Sequence, residues 1–255
     1  MKIKPVILCG GSGTRLFPNF KNAPSKQFID FGGWTLFEKT LDRIKAKIFD
    51  TPVISTNKIY VNLVLKALRK KKISKYKIVL EPSKKNTAAA IISSSLLSEI
   101  KLNQPILFLP SDHFMPRKEI FNKILYLNLK NLNSKNIFIF GIKAKIPKSD
   151  YGYLLNKKIN KRINKVTNFI EKPKKILAIR LIKRKALWNS GIVLARKDSI
   201  INNAKIHQKN LFNYCSKSLN SVSQNKKIVS LDKKSFDKIV PISFDYAILE
   251  KGKEI

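Results

Sequence analysis

Three features of the sequence predict an α/β fold with a Rossmann-like, mainly parallel sheet and helices on both faces. Apolar runs of strand length alternate with segments of helical periodicity from Pro5 to Phe140, the pattern that parallel strands joined by helical crossovers leave in a sequence. The first apolar run, Pro5 to Leu8, leads directly into a glycine-rich loop. Finally, 255 residues with 44% hydrophobic content enclose one substantial core but not comfortably two, so residues 1–255 are read as a single domain.

The elements follow in order. Pro5 to Leu8 is a buried first strand. Thr35 to Ile48 carries Leu36, Phe37, Leu41, Ile44 and Ile48 at helical spacing. Val53-Ile54 is a short strand. Lys58 to Lys72 predicts a helix with Val61, Val64, Leu65 and Leu68 inward, and Lys70-Lys71-Lys72 forms a solvated end suited to the helix dipole. The strand Lys77 to Leu80 precedes a helix that starts near Asn86-Thr87, both good caps, and runs to about Ile100. Pro105 to Leu109 is a strand, Lys118 to Leu129 a helix and Ile137 to Phe140 a strand. Beyond it the pattern loosens. Tyr151-Gly152-Tyr153 opens a strand with Ile163 to Ile170 as partner, Lys174 to Lys185 is helical, Trp188-Asn189-Ser190-Gly191 precedes the strand Ile192 to Ala195, and Ser199 to Leu219 is a polar helical region.

The net charge of +36, from 52 basic against 16 acidic residues, is extreme. Alone it suggests nucleic acid, an acidic membrane surface or polyanionic substrates. The basic residues are mostly lysines spread through the whole chain among many Ile and Asn, a mixture that an AT-rich coding sequence also produces. No basic tail and no aromatic-plus-basic RNA-binding motif stands out, so no specific nucleic-acid partner is expected. Cys9 and Cys215 are the only cysteines, which excludes a disulfide framework or Cys-x-x-Cys metal cluster, and Cys9 reads as a small core residue. The sequence has no signal-like N-terminus and no stretch of membrane-span length, so no membrane partner is expected and the reading is cytoplasmic.

The chemistry concentrates in Cys9-Gly10-Gly11-Ser12-Gly13-Thr14-Arg15-Leu16, with Lys26 ten residues on. Glycines at 10, 11 and 13 let backbone N–H groups approach an anion at the end of a parallel strand. Ser12 and Thr14 add hydroxyl donors, and Arg15 can fork onto phosphate oxygens. The loop is neither a Walker A loop, which needs Gly-Lys-Ser/Thr, nor a dinucleotide fingerprint, because Arg15 stands where the last glycine should fall. A plain glycine-rich turn is the bland alternative. Asp112, ending the strand of Leu109-Pro110-Ser111-Asp112-His113, is a natural Mg²⁺ ligand; equally, Ser111 or Asp112 could cap the next helix. In a parallel sheet the glycine loop and Asp112 lie together at the carboxyl ends of the strands.

Gly10 to Pro18 followed by Pro24-Ser25-Lys26-Gln27-Phe28 resembles the signature of sugar-nucleotide pyrophosphorylases, most closely the mannose-1-phosphate guanylyltransferases. Ser25 departs from the family, which carries proline before the lysine. The resemblance continues in family order through Glu81-Pro82 with Asn86-Thr87-Ala88, Leu109 to His113, Gly152-Tyr153, Glu171-Lys172-Pro173, Trp188 to Gly191, and Phe244-Asp245-Tyr246-Ala247 with Glu250-Lys251. It implies the nucleotide-diphospho-sugar transferase type of fold and transfer of a nucleotidyl group from GTP to mannose 1-phosphate.

The same resemblance implies the roles. Gly10, Gly11, Ser12, Gly13, Thr14 and Arg15 would wrap the triphosphate, and Lys26 would neutralise its charge. Asp112 would hold Mg²⁺, while Glu81, Asn86 and Thr87 would lie near the base. Gly152, Glu171, Asn189 and Asp245 would meet the sugar and Lys172 its phosphate. Arg15, Lys26 and Asp112 form the expected catalytic set. The attacking phosphate oxygen is already anionic, so no general base is needed. In the family a Trp-x-Asp-Val-Gly segment supplies a second metal-binding aspartate, and some relatives carry a cupin isomerase domain; this sequence reaches Ile255 before either. Three expectations stay open on that point: a shortened C-terminus, a metal held by Asp112 with phosphates and water, or lost activity with ligand binding retained. A homodimer is compatible with the reading.

Overall fold

The computed structural model of the chain describes residues 1–11, 25–160 and 163–252. Among the described residues nine strands form one sheet: β1 (Lys4–Cys9), β2 (Val53–Asn57), β3 (Lys77–Glu81), β4 (Pro105–Pro110), β5 (Ile137–Lys143), β6 (Tyr153–Lys158), β7 (Asn164–Ile170), β8 (Leu187–Arg196) and β9 (Ile228–Ser230). The order is β7-β6-β8-β4-β1-β2-β3-β9, with β5 on β8. β4, β1, β2 and β3 pair in parallel, as the alternation predicts, and β9 joins β3 in parallel. β8 runs antiparallel to β4, β5 and β6, and β7 antiparallel to β6. The parallel centre thus carries an antiparallel extension built from the less regular half of the sequence together with β5, which the alternation places among the parallel strands.

The helices are α1 (Leu36–Arg43), α2 (Val61–Lys70), α3 (Asn86–Ser95), α4 (Lys118–Asn128), α5 (Lys175–Lys183), α6 (Lys197–His207), α7 (Lys209–Asn220) and the single turn α8 (Lys233–Phe236). They cover both faces because consecutive strand residues point to opposite sides. Val6, Val53, Val79, Ile106 and Phe108 enter the core shared with α3, α6, α7 and α8. Their neighbours Ile7, Ile54, Ile78, Leu107 and Leu109 enter the core shared with α1, α2 and α4. Each such aliphatic side chain stabilises the fold by about 1.5–3 kcal/mol on full burial. A third cluster, Tyr153, Leu155, Ala178, Leu181 and Ala186, seats α5 on the extension.

Several elements differ from the sequence expectation. The first helix is capped by the Thr35 hydroxyl, which accepts from Glu38 N, but ends at Arg43, not Ile48. Lys58–Tyr60 forms a 3₁₀ turn before α2, and α3 stops at Ser95 rather than near Ile100. Asn86 and Thr87 do not cap α3 in the expected way. Asn86 adopts φ +66°, a region asparagine tolerates, with its Oδ1 accepting from the next residue's N. The Thr87 hydroxyl turns to Phe244 N. Trp188 to Gly191 lies inside β8 rather than before it, because Tyr153 and Ile142 both pair with Trp188. The region 199–219 divides into two helices at Gln208, and β9 had no signal beyond three residues. Among the described residues, no helix is long and apolar enough to cross a membrane.

Candidate active site

The sheet opens where the site forms. Along one edge of β8, β4 pairs with Val193 to Arg196 and β6 with Leu187 and Trp188, while β5 occupies the opposite edge. Asn189 to Ile192 therefore has no strand beside it on the β4 side among the described residues. Gly191, at φ +71°, turns the chain there with only Pro110 nearby. A cavity of about 530 Å³ lies against this gap and the carboxyl ends of β1, β2, β3 and β4, the position where open α/β sheets hold ligands.

Gly10 and Gly11 form one wall of the cavity, and among the described residues an ideal Cβ on either would meet nothing within 4 Å. The Gly11 carbonyl is held from behind by Ser25 Oγ at 2.5 Å and Gln27 Nε2 at 3.2 Å. Ser25, the departure from the family's proline, keeps a proline-like φ of −55° and gains this bond and another to the Tyr60 hydroxyl at 3.1 Å. Ser12, Gly13, Thr14 and Arg15 lie outside the described residues.

Lys26 and Asp112, 86 residues apart, meet across the cavity with Nζ 3.2 Å from Oδ2. Both side chains remain more than a third exposed, at 38% and 36%. An ion pair this exposed contributes at most about 1 kcal/mol to stability, so the pairing does little for the fold and leaves both groups facing the cavity. The capping alternative for Asp112 fails, because α4 begins only at Lys118 with Arg117 before it. One half-exposed carboxylate facing a phosphate-sized space fits a hard cation that takes its other ligands from phosphate and water. Among the described residues there is no group of three or more metal-ligating side chains.

Glu81 lines the same cavity. It is only 7% exposed, and burial pushes its carboxyl up to about 7 against the pull of the Ser55 hydroxyl, which donates to Oε1 at 2.5 Å. Asn86 and Thr87 are also on the wall, with Thr87 tying α3 to Phe244 N at 2.9 Å. Cys9 is fully buried, its thiol pushed up to about 12 by desolvation, which suits the packing role. His113 has its pKa lowered by burial, so the imidazole is neutral near pH 7.

Asp245 opens a π-helical turn, Asp245–Leu249, closed by Glu250 N donating to Asp245 O at 2.9 Å. Its side chain borders the cavity and accepts from Asn189 Nδ2 at 2.6 Å. Burial raises the Asp245 carboxyl above its ordinary value. Through Asn189 the cavity continues into a second cluster. Asn189 N donates to Gly152 O at 2.8 Å. A Cβ at Gly152 would sit 2.5 Å from Glu171 Oε2. The Glu171 side chain, 9% exposed, pairs with Lys172 Nζ at 3.5 Å, and burial, reinforced by Asp245, raises its pKa. Glu171 N is held by Glu250 Oε1 at 3.1 Å, and Lys172 adopts φ +45°.

The structure thus brings Gly10, Gly11, Lys26, Glu81, Asn86, Thr87, Asp112 and Asp245 into one cavity. Gly152, Glu171, Lys172 and Asn189 form an adjoining cluster joined through Asp245. Sequence reasoning missed Ser55, Asn57, Lys84, Lys85 and Pro241 on the cavity wall. Gln27 sat within the quoted motif, but Ser55 and Pro241 carried no local signal.

Fold and site together define an α/β protein whose candidate site lies at the carboxyl ends of parallel strands. Residues 4–235 match the family model described as nucleotidyl transferase, and the chain belongs to that family. The alginate biosynthesis protein AlgA of Pseudomonas fluorescens is 31% identical over 253 residues, covering 97% of this chain and 52% of its own length. A mannose-1-phosphate guanylyltransferase of Sinorhizobium fredii is 31% identical over 256 residues, covering 98% and 50% respectively. The chain spans about half the length of these curated relatives. Among solved structures, a Helicobacter pylori protein described as mannose-6-phosphate isomerase superposes with a TM-score of 0.84 at 26% identity, over 100% of this chain and 96% of that one.

Proposed function

We propose that this chain is a mannose-1-phosphate guanylyltransferase, joining GTP and mannose 1-phosphate into GDP-mannose with release of pyrophosphate. The observation that carries the reading is the meeting of Lys26 with Asp112, 3.2 Å apart and facing the Gly10-Gly11 wall. That arrangement concentrates charge on a transferred phosphoryl centre, and the reaction asks for no general base because the nucleophile is already an anion. Family membership and relatives named for the activity support the choice of reaction.

In this reading the backbone N–H groups from Gly10 through Arg15 hold the triphosphate, and Lys26 neutralises the α-phosphate. Asp112 holds Mg²⁺, which when bound offsets charge on the phosphate oxygens. Glu81, Asn86 and Thr87 shape the wall near the base. Asn189, Asp245 and Glu171 accept and donate to sugar hydroxyls, Gly152 leaves them room, and Lys172 pairs with the sugar phosphate. The chain's own contribution is to align the attacking phosphate with the α-phosphorus and neutralise the charge that develops, the positioning and electrostatic terms of catalysis.

Lys26→Ala tests the reading. Turnover should fall by about 10²–10³, while melting should shift by no more than an exposed ion pair supports, about 1 kcal/mol. Unchanged turnover would rule the assignment out. Isomerisation of mannose 6-phosphate, assayed on the same preparation, separates this reading from the activity named for the H. pylori relative.

A further inference from the structure

The loop that presents Asp112 is held by α1, and the holding group is unusual. Arg43, the last residue of α1, is only 2% exposed. Its Nη2 donates to the backbone carbonyl of His113 at 2.9 Å. Its Nη1 is buried with no hydrogen-bond partner, and among the described residues Arg43 forms no ion pair. A buried guanidinium normally faces a carboxylate that offsets its desolvation; this one faces a single carbonyl, one residue beyond Asp112. Three residues earlier on the same face of α1 is Thr40, fully buried, with its hydroxyl 3.1 Å from Leu36 O and 3.5 Å from Ser111 O. Ser111 N donates to Leu8 O on β1 at 3.2 Å. The residues on both sides of Asp112 are therefore tied down, Ser111 by its N–H on β1 and its carbonyl within reach of Thr40, and His113 by its carbonyl on Arg43.

We infer that Arg43, assisted by Thr40, is a positioning residue for Asp112, holding the 111–113 backbone so that the Asp112 carboxylate faces the cavity and its metal. The inference rests on the proposed function. Packing alone does not account for Arg43, because an aliphatic side chain of similar length would fill the space without a buried, unpaired charge. What the guanidinium supplies and an aliphatic chain lacks is the bond to His113 O. With that bond gone, the carbonyl is free to turn, and the carboxylate one residue earlier moves with it. Residues that orient a metal ligand from behind typically change metal affinity by 10- to 100-fold when removed.

The experiment compares the unmodified chain with Arg43→Met and Arg43→Lys. The probe is Mn²⁺ with GTP, and the readout is the enhancement of water proton relaxation when protein binds the pair; thermal melting is followed in parallel. Arg43→Met should weaken the ternary complex about tenfold or more while its melting temperature holds or rises, since a buried unpaired charge has been removed. Arg43→Lys, which keeps a donor but not the fork, should fall between. A purely structural Arg43 gives the opposite signature, a lower melting temperature with Mn²⁺ affinity unchanged, and would overturn the inference. Should Arg43→Met not fold, Arg43→Lys decides: affinity equal to that of the unmodified chain would also overturn it. Absence of any enhancement with the unmodified chain would instead overturn the proposed function, and this inference with it.

Discussion

Glu81 illustrates how burial tunes one group on the cavity wall. Its ordinary pKa of 4.5 rises to about 7 because desolvation outweighs the Ser55 hydrogen bond. The fold therefore favours the protonated form. The stability this contributes is complete below pH 4.5 and lost as pH rises through about 7, a swing on the order of 3 kcal/mol. Glu81→Gln should remove the swing: at pH 5 the variant and the unmodified chain melt together, and by pH 8 the variant melts several degrees higher. Parallel melting curves across that range would contradict the assignment. Gly152 gives a second test at this scale. A methyl group there would lie 2.5 Å from a largely buried Glu171 carboxylate, which must move. Gly152→Ala should raise KM for mannose 1-phosphate about tenfold with a destabilisation of about 1 kcal/mol. An unchanged KM would remove Glu171 from the sugar site.

At the scale of elements, α3 and the π turn act together. The Thr87 hydroxyl accepts from Phe244 N, and Ala88 N donates to Ile242 O at 3.3 Å, so the start of α3 anchors the segment that presents Asp245. Thr87→Val keeps the shape and removes one acceptor, a loss of about 1 kcal/mol. Amide exchange at Phe244 should then accelerate about fivefold or more, and unchanged exchange would show that the link does not hold the turn. This double use explains what the sequence conveyed and what it did not. Asn86-Thr87 was legible as a place of interest, but composition could not reveal that Thr87 turns away from its helix toward a residue 157 positions on. The parallel strands β1 to β4 were legible because burial on two faces demands continuous apolar runs. β8 was read only as Ile192 to Ala195 because its polar half, Trp188 to Gly191, belongs to the sheet through pairing with β5 and β6. Long-range pairing leaves no local pattern.

Across the whole molecule, 52 basic residues face 16 acidic ones, and among the described residues few lysines are in ion pairs. Self-repulsion should therefore oppose compaction at low ionic strength. Raising salt from about 0.02 to 0.2 M shortens the screening length from roughly 20 to 7 Å, so melting temperature should rise over that interval. A flat or falling profile would show that the exposed lysines are too dispersed to matter. Charge of this kind says little about function. Site residues from Gly10 to Asp245 were recognisable through short motifs in family order, each too brief to decide alone, whereas Arg43 and Ser55 act through the backbone and a neighbouring carboxyl and leave no motif.

The central claim is tested most directly by pyrophosphate release from the 255-residue chain with GTP, mannose 1-phosphate and Mg²⁺, each omitted in turn and each nucleotide and sugar phosphate exchanged. Turnover should require all three components and fall sharply when GTP or mannose 1-phosphate is replaced. A folded chain that releases no pyrophosphate with any nucleotide and sugar phosphate would contradict it.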